Sequence, residues 1–164
     1  MSADEIWNQL QSIVKMGQFK KIEKLASQFD DEAMYGDKYP EEYFEVILKI
    51  LTDSKMQKVE NVFIFLLMLS PDAERLTDHQ RTRLFDAIVS SLDKFTDGML
   101  VHGSVDFICR HYGRDEIVKL LSGLLLTNIP EKQSYLEMGL NIAMSKNKLS
   151  QDDVNKLLKQ MPAN

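Results

Sequence analysis

Helix-opening signals recur along this chain at a nearly fixed interval, and that interval limits the fold more than any single motif does. Ser2 with Glu5, Thr77 with Gln80, and Ser150 with Asp153 each form the polar pair, three residues apart, that caps a helix N-terminus. Pro40 followed by Glu41 and Glu42 suits a first turn, and Asp115 opens a further apolar stripe. Every second helix is thus predicted to start near residues 3, 40, 78, 115 and 151, at intervals of 37, 38, 37 and 36. A two-helix unit of this length cannot bury its own apolar stripe, so the period predicts stacking: a right-handed stack of about four antiparallel helical hairpins, closed by a short C-terminal capping helix.

The individual stripes follow helical spacing. They are Ile6, Leu10, Ile13 and Val14, stopped by Gly17; Phe19, Ile22, Leu25, Ala26 and Phe29 over about 18–29; and Tyr43, Phe44, Ile47, Ile50 and Leu51. A fourth helix, about Met56 to Leu69, is apolar around most of its girth and is expected at the centre, ended by Ser70-Pro71-Asp72. Leu84, Phe85, Ile88, Val89 and Leu92 mark the fifth helix, and Gly98 separates it from a sixth that runs to about Tyr112. Gly113 is then expected to cap the sixth in a left-handed conformation. Further helices are expected over about 115–126, from Pro130 to about Lys146, and up to about Met161. No alternating stretch with turn chemistry argues for a sheet, so the fold class is all-α, in one domain spanning 1–164.

In period and hydrophobic pattern the whole chain resembles HEAT-like repeat proteins, although no signature residue carries the likeness. Tetratricopeptide repeats have a nearby period of about 34, but their small-residue and aromatic positions do not recur here. A non-repetitive helical bundle is the other arrangement open to such a sequence.

The single Cys109 cannot form an internal disulfide, and the opening MSADEIWNQL has neither a basic nor an apolar leader region, which predicts a cytoplasmic protein. The longest apolar run, VFIFLLML at 62–69, is far short of the roughly 20 residues a membrane span needs. A net charge of −5 argues against a nucleic-acid partner. That charge is concentrated. Residues 30–45, DDEAMYGDKYPEEYFE, carry Asp30, Asp31, Glu32, Asp37, Glu41, Glu42 and Glu45 against Lys38, a net of −6, so the other 148 residues stand at +1.

Catalytic and metal-binding patterns are weak. His102, Asp106 and Cys109 share a helix face, yet His102 and Cys109 lie about 10 Å apart along the axis, too far for a nucleophile and its base, which predicts a buried thiol and an Asp106–Arg110 helix pair. His79, His102 and His111 lack ligand spacing, and Asp30-Asp31-Glu32 lacks the alternation and glycine of a calcium loop. Phosphate-loop, GxSxG and HExxH patterns are missing. The expectation is a protein without enzyme activity, metal or cofactor; hydrolysis by the acidic segment is a minor reading.

Charged connections between helices are commonly just solvated, but that does not account for Tyr35, Tyr39 and Tyr43, which alternate with the acids at spacing four. Tyrosine contributes strongly at interfaces while losing little entropy. The predicted partner-binding set is Asp30, Asp31, Glu32, Tyr35, Asp37, Tyr39, Glu41, Glu42, Tyr43 and Glu45, facing a basic protein; Tyr43, which begins the third apolar stripe, is the one most suited to face the core instead. In size and helical-repeat character the chain also resembles immunity proteins that neutralise toxins of competing bacteria. That resemblance implies an acidic surface filling a basic cleft, such as that of a nuclease. The alternative is an adaptor or assembly subunit holding a peptide or a larger complex on a concave face.

Overall fold

The three capping boxes form as the sequence predicts: the hydroxyls of Ser2, Thr77 and Ser150 accept the amides of Glu5, Gln80 and Asp153, whose side chains accept the return bonds. The computed structural model describes residues 1–161 and builds them into α1 (Ala3–Lys15), α2 (Lys20–Ala33), α3 (Glu41–Thr52), α4 (Phe63–Leu69), α5 (Asp78–Ser91), α6 (Gly98–His111), α7 (Arg114–Leu125), α8 (Lys132–Ser145) and α9 (Gln151–Lys159). No strand occurs among the described residues, so the fold is all-α. The last three residues of the expected 1–164 domain lie outside the described ones.

The odd-numbered helices begin at residues 3, 41, 78, 114 and 151, within one residue of the sequence expectation. Each packs against the next odd-numbered helix from α1 to α9, and each even-numbered helix packs against the next even-numbered one from α2 to α8. Contacts of α1 with α2, α6 with α7 and α7 with α8 join the two rows. The polar contacts recur as well. Gln80, third in α5, donates to Glu41, first in α3, at 2.7 Å; Asp153, third in α9, accepts from Arg114, first in α7, at 2.7 Å.

Phe44, Phe65 and Phe107 are among the largest fully enclosed side chains. Gly139 allows α8 to lie close to its neighbours: a Cβ there would stand 3.0 Å from Leu121 Cδ2 and Val105 Cγ1 and 3.1 Å from Cys109 Sγ.

Several helix limits differ from the sequence expectation for local reasons. α4 starts seven residues late because the Asp53 carboxylate accepts the Lys55 and Met56 amides, both at 3.0 Å, and winds residues 56–58 into a 3-10 turn; Asn61 then turns left-handed at φ 73°. α4 is also not enclosed. Phe65, Leu66 and Leu69 are buried, but Leu67 is exposed and Phe63, Ile64 and Met68 are half-buried. Gly113 is not a left-handed cap: its backbone is extended, and it stands as the residue before α7. α6 ends instead at Tyr112, whose amide donates to the Ile108 carbonyl. α2 extends four residues beyond Phe29, which places part of the acidic stretch on a helix.

Candidate functional site

Because α2 continues to Ala33, Asp30, Asp31 and Glu32 occupy its last turn, where free carbonyls already give negative potential and no Lys or Arg is present. The compensating charge comes from Arg75, in the connection before α5. Its guanidinium donates to the carbonyl oxygens of Ala33, Gly36 (3.0 Å), Tyr35 (3.1 Å) and Lys38 (3.2 Å), and pairs with Asp72 at 3.0 Å. A planar fork with five donors can reach several acceptors that a single ammonium cannot. Gly36, at φ 105°, supplies the backbone conformation that curls the loop around this group. The contact is reciprocal, since the Tyr39 amide donates to the Arg75 carbonyl at 3.0 Å.

The ten residues singled out by the sequence divide into three groups. Tyr39 and Tyr43 are buried, 4% and 8% exposed, and so do not offer side chains to a partner. Tyr43 packs on Phe29 with ring centroids 4.7 Å apart; the Tyr39 phenol is pushed above its ordinary pKa by burial first, with Asp72 and Asp30 adding to the effect. The apolar face of α3 takes the Tyr43 ring into the core, and the bond of the Tyr39 amide to Arg75 fixes the residue just before the helix with its ring buried.

Glu41 and Glu45 are engaged within the molecule. Glu41 accepts from Gln80, and Glu45 forms a two-pronged pair with Arg83, which holds the Glu45 carboxyl below the usual range despite partial burial. These bonds join α3 to α5. Asp30 is half-buried, whereas Asp31, Glu32, Tyr35, Asp37 and Glu42 remain exposed. Tyr35 is 79% exposed and its neighbour Met34 60%, so an aromatic and a thioether project from a loop whose carbonyls are fixed from beneath.

Sequence reading missed Arg75. The usable signal is its position: a basic residue type three residues before a helix start also occurs at Lys38, His111 and Lys148.

Cys109 is fully buried and its thiol is pushed up to about 12 by that burial; His102 is exposed, and Asp106 pairs with Arg110 at 2.9 Å. Ser70 Oγ lies 2.6 Å from His111 Nε2, joining the end of α4 to the end of α6, and burial, then Lys148 and Arg110, lowers the imidazole pKa. Among the described residues no group of three or more His, Cys, Asp or Glu is placed to hold a metal ion, and no helix is long and apolar enough to cross a membrane.

Comparison of the chain with protein families, curated proteins and solved structures gives no match.

Proposed function

We propose that this chain is a non-enzymatic, HEAT-like helical scaffold that binds a basic protein, and that it serves as a cytoplasmic immunity or inhibitor protein against a toxin, of which a nuclease is the best-fitting kind. The observation that carries the reading is the Arg75-held loop. It presents Met34 and Tyr35 to solvent with Asp31, Glu32, Asp37 and Glu42 nearby in sequence and also exposed. A preordered aromatic contact loses little entropy on binding, and surrounding carboxylates accelerate encounter with a cationic surface. A hydrolase built on this segment is not favoured: a general acid needs a raised pKa, and Glu45 is shifted the other way by Arg83.

The test is capture of partners from cells that carry the gene, followed by kinetics on the partner obtained. Reversing charge at Asp31 and Asp37 should slow association and flatten its salt dependence, whereas Tyr35→Ala should speed dissociation by an amount of about 2 kcal/mol. Unchanged binding by both variants would remove the loop from the interface.

A second reading, an adaptor that holds a peptide, draws on a groove of about 740 Å³ between α5 and α7. Val89, Leu92, Phe95, Leu120 and Leu126 line it, and Leu126 is 89% exposed.

A further inference from the structure

At three successive junctions a side chain at the same position reaches back to the end of an earlier helix, twice as a cation on a carbonyl and once as an imidazole on a cap serine. The residue three positions before α5, α7 and α9 is Arg75, His111 and Lys148, and each reaches the C-terminal end of the even-numbered helix three places earlier in the chain. Arg75 donates to the Ala33 carbonyl ending α2, His111 bonds Ser70 at the C-cap of α4, and Lys148 donates to the Arg110 carbonyl in the last turn of α6 at 2.6 Å. A helix C-terminus carries unpaired carbonyls and partial negative charge, which explains the cations Arg75 and Lys148 at the ends of α2 and α6; His111, whose pKa is lowered, instead bonds the cap serine of α4.

Lys38 holds the same position before α3. Among the described residues no helix occupies the corresponding place on the α1–α2 edge, and the Lys38 ammonium has neither a hydrogen bond nor an ion pair. Its backbone is nonetheless fixed, because Arg75 holds its carbonyl at 3.2 Å.

We infer that Lys38 and the α1–α2 edge form a docking surface for the C-terminal end of a helix in a partner protein, a helix whose last turn carries Lys or Arg. The inference rests on the proposed basic-partner reading and names the element that the partner brings. The incoming carbonyls meet Lys38 as those at the ends of α2 and α6 meet Arg75 and Lys148. The partner's terminal Lys or Arg side chains, which favour helix C-termini for the same dipole reason, meet Asp31 and Asp37. Met34 and Tyr35 supply apolar contact beside Lys38. The surface thereby continues the series of internal junctions.

The probe is a lactam-stapled, amidated 16-residue helical peptide with Lys-Arg-Lys in its last turn, titrated by fluorescence anisotropy into the full chain. The control carries the same three residues in its first turn. The C-terminal version should bind about tenfold tighter than the control, the gain from one charge-assisted hydrogen bond, and Lys38→Met should erase that difference. Equal binding of the two peptides, a preference that survives Lys38→Met, or no binding by either would overturn the helix-end inference. Equal binding of both peptides that is lost on charge reversal at Asp31 and Asp37 would leave the basic-partner reading standing while this one fails.

Discussion

The connections from α2 to α3 and from α6 to α7 each lead from an even-numbered helix to the next odd-numbered one, yet one is seven residues long and the other two. Both leave helix carbonyls that must be satisfied by cations from elsewhere. At the short junction Lys148 takes the Arg110 carbonyl and Arg81 takes that of His111 at 2.7 Å, while Tyr112 is buried and returns a bond to the Arg81 carbonyl at 2.6 Å. Nothing is left over to protrude. At the long junction one guanidinium gathers four carbonyls, and the side chains between them point outward. The same capping requirement thus gives a closed structural corner in one place and an ordered, exposed projection in the other.

The largest expected effect separates the tyrosines of the long junction. Tyr43→Ala should lose about 4 kcal/mol of stability in urea unfolding, as a buried aromatic stacked on Phe29, whereas Tyr35→Ala should change it by less than about 0.5 kcal/mol. Similar losses for both would erase the distinction between core and projection. Next comes the clamp: Arg75→Ala should cost about 3 kcal/mol, and Arg75→Lys should restore less than half, because an ammonium cannot span the same carbonyls.

On the closed side, Gly139→Ala should cost about 2 kcal/mol by forcing a methyl onto Leu121, Val105 and Cys109. Cys109→Ala should cost only about 1 kcal/mol. With its pKa pushed up to about 12, the native thiol should react with a disulfide reagent at pH 8 only as fast as the chain unfolds; rapid labelling would show the α6 core to be open.

The smallest effect is on pH dependence. Asp153 and Glu45 have depressed carboxyl pKa values, caused first by hydrogen bonds from Arg114 and Arg83 respectively. Their contribution is fully present above the unfolded carboxylate range, about pH 4–4.5, and falls as pH drops below it. The lowered His111 pKa acts at higher pH, since the unfolded chain takes up that proton first as pH falls through about 6.5. Asp153→Asn should flatten the acid limb, and His111→Gln the limb near neutrality, in unfolding measured across pH.

Much of the helix layout was legible in the sequence, because three capping boxes and the apolar stripes are local signals. What was not legible depended on distant partners. That α2 could carry three acids through its last turn depended on Arg75, and that α4 would begin only at Phe63 depended on Asp53 turning the chain just upstream. Charge and tyrosine spacing singled out the acidic stretch but not the placement of its side chains. The division between buried Tyr39 and Tyr43 and exposed Tyr35 depended on the packing of α3 for Tyr43 and on the distant Arg75 carbonyl for Tyr39.

Backbone ¹⁵N relaxation of residues 34–38 tests the central claim most directly. If Arg75 holds the loop in one shape, these amides should show order parameters near 0.85, like those of the flanking helices, and should fall below about 0.6 in Arg75→Ala. Values already below about 0.6 in the unaltered chain would contradict an ordered projection and, with it, the binding surface proposed for this protein.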